Sequence, residues 1–244
     1  MMKMQTGELL YKGKAKSIYR TEKDDELLAV FRDDITAFNG EKKDEFAGKG
    51  EYNFAASAFF FDFLEKNGVK THYLRAVDER SMVVSKLDMI PLEVIARNRA
   101  AGSIVKKFPF KEGQILNPPV ISTDYKDDER GDPPINDDLV VALCLLTPDE
   151  LMNVRETTLK INRILSDFFE ELGLILVDFK IEFGRKDGII VLGDEISMDS
   201  MRLWDRETME SFDKDVYRYD KGDFMSAYAR VVEKINQWKD SHME

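Results

Sequence analysis

A chain of 244 residues is long enough for one large domain or two small ones, and 43% apolar with 34% charged residues, 14 Gly and 7 Pro excludes a disordered or collagen-like polymer. Forty-seven acids against 36 bases leave a net charge of −11, so nucleic acid and anionic membranes are not expected partners and any anionic ligand must be met by locally clustered bases. One cysteine, Cys144, and two histidines, His72 and His242, exclude an intrachain disulfide, a multi-cysteine metal centre and multi-histidine catalysis; carboxylates, lysines, arginines and backbone amides remain.

Short β-type runs come first: Leu9 to Lys12, Lys16 to Thr21 and Leu27 to Arg32, then Thr71 to Val77 and Met82 to Leu87. Between them a helix starts at Glu51 and ends at the Asn67-Gly68 signal, with Phe54, Ala58, Phe61 and Leu64 on one stripe. This part reads as an antiparallel sheet with one helix. The stretch KLDMIP breaks the pattern before Pro91 to Arg97 resumes as a strand, which places a domain boundary near Asp88. Gln114 to Pro134, rich in Pro, Asp and Asn, reads as a long functional loop, and Cys144, within Leu139 to Leu146, as a buried structural thiol.

Thr147-Pro-Asp-Glu is a capping box, and Leu151, Val154, Thr158, Ile161, Leu165, Phe168 and Leu172 step by three and four to Gly173, predicting a helix. Leu174 to Phe183 and Ile189 to Asp194 form a hairpin around GRKDG. Phe224, Val231, Ile235 and Trp238 mark a closing helix. With no bilayer-length apolar stretch and no signal-peptide pattern, a cytoplasmic protein is expected.

No phosphate-binding P-loop is present, and Gly48-Lys-Gly50 does not complete a dinucleotide fingerprint. In YKGKAK, Lys12, Lys14 and Lys16 share a face if the backbone stays extended; a phosphate site and an exposed basic edge are both consistent with this. In Arg97-Asn-Arg-Ala-Ala-Gly-Ser103, two arginines end a strand and small residues open a helix, a phosphate-binding arrangement whose alternative is surface ion pairing. In LILVDFKIEF, Asp178, Lys180 and Glu182 share the face opposite Val177, Phe179, Ile181 and Phe183. A turn centred on Lys186 would set Asp178 opposite Asp194, and facing carboxylates call for a cation such as nucleotide-bound Mg²⁺. Beyond the hairpin, Arg202 heads for the same end of the sheet, and Trp204 reads as core.

Taken in order, YKGKAK, KLDMIPLEV, IARNRAAGS, NPP, GLILVDFKIEFG, VLGDEIS and SMRLWD resemble the SAICAR synthetase (phosphoribosylaminoimidazole-succinocarboxamide synthase) family of purine biosynthesis across almost the whole chain. The resemblance implies an α+β fold: a small antiparallel ATP-binding domain, residues 1–88, like a kinase or ATP-grasp lobe, packed on a larger α/β domain, residues 89–244. It implies a ligase joining the carboxylate of the aminoimidazole ribonucleotide CAIR to the amine of L-aspartate, with ATP as co-substrate, Mg²⁺ as cofactor and a homodimer as the assembly. Lys14 and Lys16 would serve the ATP phosphates, Lys86, Leu87 and Met89 the connector beside adenine, and Lys126 a loop near the nucleotide. Glu182 and Asp194 would hold Mg²⁺-nucleotide, and Arg97, Ser103 and Arg202 the CAIR 5′-phosphate. Asp132, Asp178 and Lys180 would surround the reacting carboxylate and amine. One departure stands out: Asn39 occupies a place where the family motif usually carries aspartate. A small-molecule kinase and a non-catalytic nucleotide-binding regulator are the rival readings.

Overall fold

The computed structural model describes residues 7–37 and 41–242, so Asn39 lies outside the described residues. The N-terminal strands β1 (Leu9–Lys12), β2 (Lys16–Arg20) and β3 (Glu26–Phe31) form one antiparallel sheet with β6 (Tyr73–Asp78) and β7 (Ser81–Ser85), ordered β1-β2-β3-β7-β6. Between them, β4 (Asp34–Ala37) and β5 (Lys42–Glu45) pair as a separate ribbon that the sequence reading did not anticipate. Helix α1 (Lys49–Lys66) crosses this sheet and ends where Gly68 takes a φ of +73°. Its most buried face is one stripe on which the polar Lys49, Asn53 and Ser57 continue the line of Phe60, Phe61 and Leu64, all six enclosed. Removing a ring as enclosed as Phe60 would cost about 3–5 kcal/mol.

The second sheet is built from β8 (Asp88–Arg99), β9 (Ile115–Tyr125), β10 (Pro134–Ile135), β11 (Leu174–Lys186), β12 (Ile189–Gly193) and β13 (Met201–Asp205). Its order is β10-β9-β8-β11-β12, with β13 also on β11. Helices α2 (Ser103–Lys107), α3 (Asp137–Ala142), α4 (Pro148–Glu171), α5 (Asp215–Arg218) and α6 (Phe224–His242) complete the chain. The capping box starts α4: Thr147 Oγ1 accepts from the Glu150 N–H and Glu150 Oε2 accepts from the Thr147 N–H. Its stripe from Leu151 to Phe168 is buried against the second sheet.

Four expectations change. Strand β8 runs unbroken through Pro91, whose carbonyl still accepts the Lys126 N–H. The expected loop after Gln114 is largely β9, paired with β8 and β10, because Ile115, Val120, Ile121 and Thr123 supply β-branched residues among the prolines. Cys144 is exposed, at a φ of +55° just past α3, rather than buried. The hairpin turns at Asp187-Gly188, both at positive φ, so Lys186 pairs with Ile189. Glu182 therefore meets Gly193, and Asp178 pairs with Arg97 and Arg202 instead of Asp194.

The two sheets are joined at Leu192, which accepts from the His72 N–H at 2.9 Å and donates to the Lys70 carbonyl at 3.1 Å. α1 also packs on α6, and one apolar core runs through both halves. The polar face of β11 borders the resulting cleft.

Candidate functional site

Because side chains alternate along a strand, Asp178, Lys180 and Glu182 form a row of charges on β11 above an apolar face. The neighbouring strands determine what each charge meets. At one end, Arg97 Nη1 donates to Asp178 Oδ2 at 3.0 Å and Arg202 Nη1 to the same oxygen at 2.9 Å. Arg202 Nε also donates to Asp215 at 2.8 Å, and Arg218 to Asp215 at 2.5 Å. Three guanidiniums thus share two carboxylates, leaving a net positive charge that favours an added anion. Arg97 Nη2 lies 3.4 Å from Ser103 Oγ, at the start of the five-residue α2. Burial lowers the Arg97 pKa, with Asp178 working against it. Burial also opposes the charge of Arg202, but Asp178 and Asp215 outweigh it and raise its pKa.

At the other end, Lys126 Nζ bonds both Glu182 oxygens, at 2.5 and 2.6 Å, and Lys180 Nζ bonds Glu93 at 2.5 Å. Lys16 Nζ lies 2.5 Å from Asp194 Oδ1 and 3.0 Å from Glu195 Oε2, the second off the hydrogen-bonding direction. Burial and the neighbouring Asp194 charge raise the Glu182 carboxyl. Burial acts the same way on Asp194, but Lys16, Lys126 and Lys180 overcome it and lower its pKa. Lys16 is held charged by Asp194 and Glu195 in spite of burial. This end is an alternation of ammoniums and carboxylates that runs from the buried Lys16, Glu182 and Glu195 through half-buried Lys180 and Asp194 out to exposed Lys126.

Leu87 and Met89 make an apolar ledge beside Glu182. A Cβ at Gly184 would stand 2.7 Å from Leu87 Cβ, and one at Gly193 would stand 3.1 Å from Leu87 Cδ1 and 3.4 Å from Met89 Sδ. Lys86 follows the same turn, its side chain exposed and its N–H donated to the Asp25 carbonyl. Lys14 reaches Asp128 at 2.9 Å, while Asp132 accepts from the Asp127 N–H and shapes that loop. β1 stops at Lys12, so Lys12 does not continue a single strand with Lys14 and Lys16.

A cavity of about 480 Å³ runs from the arginine end along β11 to Lys180 and Glu93; Lys14, Arg97, Ser103, Asp132, Lys180 and Arg202 line it, whereas Lys16, Lys126, Glu182 and Asp194 lie outside its wall. Asp178 lies in the same wall. Arg99 instead bonds the Gly113 carbonyl. Sequence reasoning missed Glu93, Lys214 and Arg218 in the cavity wall, and His72 beside Lys16 and Asp194. The period-2 step back from Arg97 through Ile95 would have found Glu93; no local pattern marks Lys214 or His72.

Glu182 and Asp194 offer hard oxygen donors from adjacent positions, which suits Mg²⁺ completed by phosphate oxygens and water. Among the described residues no cluster of three or more His, Cys, Asp or Glu side chains could hold a metal. The donor set therefore fits an ion shared with a nucleotide rather than a self-sufficient metal centre.

The SAICAR synthetase family model matches residues 9–235. A phosphoribosylaminoimidazole-succinocarboxamide synthase from Methanoregula boonei is 60% identical over 234 residues, which span 96% of this chain and 91% of the relative. Among solved structures, a SAICAR synthetase in complex with ADP is 47% identical at a TM-score of 0.90, covering 92% of this chain and 96% of that one. The Ehrlichia chaffeensis synthase is 39% identical at a TM-score of 0.92, with 94% and 98% covered. Sequence and α+β backbone agree along nearly the whole length, and the chain belongs to the SAICAR synthetase family.

Proposed function

We propose that this chain works as a two-ended ligase site built on the polar face of β11. It is an ATP-dependent, amide-forming ligase of purine biosynthesis that joins the carboxylate of CAIR to the amine of L-aspartate, giving SAICAR, ADP and phosphate. In this reading the arginine end, Arg97, Ser103 and Arg202, takes the CAIR 5′-phosphate. The lysine–acid end takes ATP, with Lys14, Lys16 and Lys126 on the phosphates and Lys86, Leu87 and Met89 beside adenine. Residues 1–88 would form the nucleotide domain and residues 89–244 the CAIR and aspartate domain. The observation carrying this is that Asp178 and Glu182, four residues apart on one strand, face an arginine cluster and a lysine–acid cluster respectively.

A carboxylate resists attack by an amine, so the γ-phosphoryl group is transferred to a CAIR carboxylate oxygen and ADP leaves. The aspartate nitrogen, as the free amine, then attacks the activated carbonyl; the new C–N bond forms as the C–O bond to phosphate breaks, and the nitrogen gives up a proton that leaves with the phosphate. Lys16 and Lys126 neutralise the charge that accumulates on the transferring phosphoryl oxygens. Mg²⁺, held by Glu182 and Asp194, would supply further neutralisation of those oxygens. Asp132, Asp178 and Lys180 border the reacting groups; Lys180 is kept charged by Glu93 and Glu182 against the effect of burial and can orient the CAIR carboxylate. A cytoplasmic location and a homodimer are carried over from the family resemblance.

The test is ADP release by purified protein given Mg-ATP with CAIR, with aspartate, or with both. Release that needs both, matched mole for mole by SAICAR, supports the reading; release with CAIR alone at the same rate points to a kinase.

A further inference from the structure

We propose that Lys214 is the anchor for a carboxylate of the amine substrate, L-aspartate, on the wall between the arginine cluster and the lysine–acid cluster. This rests on the ligase reading above.

Seven basic side chains line the cavity, and the fate of each can be followed. Lys14 pairs with Asp128, Arg97 and Arg202 with Asp178, Lys180 with Glu93, and Arg218 with Asp215. Lys106 is exposed on α2 and needs only water. Lys214 differs from all of them: it is half-buried, lines the cavity, and makes no side-chain hydrogen bond or ion pair among the described residues. An ammonium withdrawn from water without a partner is destabilising.

The acids around it already have other cations or donors, Glu195 through its ion pair with Lys16 at 3.0 Å. Asp199 receives Lys49 at 2.5 Å and the Tyr228 hydroxyl at 2.7 Å; Asp215 receives Arg202 and Arg218. Asp213 accepts the Leu203 and Asp215 N–H groups. An anion arriving from the cavity is the partner that remains. Burial pushes the Lys214 pKa down to about 8, with Asp199 opposing and Arg218 reinforcing the shift, so the group is still charged at neutral pH.

Substrate chemistry selects which anion. The arginine cluster suits the phosphate of CAIR, and its carboxylate must face the phosphoryl donor. L-Aspartate brings two further carboxylates, and these need a cation that neither of those groups uses. Lys214 is placed for that task because it precedes α5, whose last residue, Arg218, belongs to the arginine cluster, while its charge also reaches Asp199 and Glu195 on the other side. The segment is held in place from β5, where Asp44 accepts the Tyr217 hydroxyl at 2.7 Å, and by Lys42, which donates to the Tyr217 carbonyl at 2.8 Å.

The experiment compares wild type, Lys214→Met and Lys214→Arg by steady-state kinetics, varying L-aspartate, CAIR and ATP in turn. The expected result is an aspartate KM raised about tenfold to a hundredfold in Lys214→Met, CAIR and ATP KM within twofold of wild type, and partial recovery in Lys214→Arg. The preference for L-aspartate over L-alanine should fall in Lys214→Met by the same factor. An unchanged aspartate KM in folded Lys214→Met, or equal losses for aspartate and CAIR, overturns the proposal. If Lys214→Met does not fold, Lys214→Arg decides: an aspartate KM equal to the wild type's with a raised CAIR KM counts against it, and a selectively raised aspartate KM counts for it. Wild-type protein that releases ADP without regard to aspartate would instead bring down the ligase reading itself.

Discussion

Asp178 accepts from Arg97 at 3.0 Å and from Arg202 at 2.9 Å, so one buried carboxylate fixes two guanidiniums from strands on either side of β11. Either arginine can be removed without leaving Asp178 unpaired, whereas removing both strands a buried charge. Arg97→Ala and Arg202→Ala should each weaken CAIR binding by roughly 1.5 to 3 kcal/mol, about tenfold to a hundredfold, while leaving ATP binding nearly unchanged. The double variant should lose more stability than the sum of the singles, and adding Asp178→Asn should restore part of it. Titration with CAIR and its dephosphorylated nucleoside, together with thermal unfolding, checks both points. Equal losses for the two ligands would mean that the arginines organise structure rather than hold phosphate.

The opposite displacements of Glu182 and Asp194 predict different costs for similar substitutions. Burial and Asp194 favour the neutral form of Glu182 while Lys126 and Lys180 oppose it, so Glu182→Gln, which keeps one acceptor for Lys126, should lower the unfolding temperature less than the matching change at Asp194. Asp194 is stabilised as an anion by three lysines in spite of its burial, so Asp194→Asn should unfold measurably earlier, by several degrees. Both should lose turnover at limiting Mg²⁺ by a hundredfold or more. Melting curves in chelator separate stability from metal use, and normal turnover by both variants at low Mg²⁺ would remove these carboxylates from the nucleotide site.

Much of this arrangement could be read before the structure, and the exceptions have physical causes. α4 was legible because cap, proline and apolar stripe agree locally, and the alternation at Asp178, Lys180 and Glu182 follows from strand geometry alone. β9 was read as a loop because Pro118, Pro119 and the acidic run after it suggest a turn, while β8 and β10 supply its pairing from outside the segment. The register error at the hairpin came from centring the turn on Lys186 although Asp187-Gly188 is the stronger turn signal. Lys214 and His72 gain their roles from distant neighbours, for which the local sequence carries no periodicity.

His72 predicts a pH effect of definite sign. Burial, with Lys16 nearby, pushes its imidazole down from 6.5 to about 3. Above pH 6.5 it is neutral in both the folded and the unfolded chain, and its contribution to stability is complete. As pH falls from 6.5 towards 3 the unfolded chain takes up a proton that the folded chain refuses, so stability is progressively lost. Gln at this position does not titrate. The wild type's advantage over His72→Gln should therefore shrink by roughly 1.4 kcal/mol per unit between pH 6 and pH 4. Urea midpoints at pH 4, 5, 6 and 7.5 test this, and a constant gap would show that the imidazole is not buried in the neutral form.

Gly102 joins backbone geometry to the arginine cluster. Its φ is +64°, and a Cβ there would stand 2.5 Å from Arg202 Nη2 and 2.9 Å from Cζ. Arg202 has little freedom to move aside, because Asp178 and Asp215 hold it from two directions. Gly102→Ala should therefore impose two costs: backbone strain of roughly 1–3 kcal/mol, since φ +64° with ψ −125° lies outside even the left-handed helical region, and displacement of the guanidinium. Gly173→Ala separates them, since Gly173 has a φ of +72° with nothing within 4 Å of an added Cβ. Both variants should melt a few degrees below wild type, but only Gly102→Ala should raise the CAIR KM, about tenfold or more, with the ATP KM unchanged. In an Arg202→Ala background the clash has no partner, so adding Gly102→Ala should cost little further CAIR affinity. If Gly102→Ala matches Gly173→Ala in CAIR KM, or if its effect persists in full without Arg202, the glycine is required by the turn alone and not by the phosphate-side arginine.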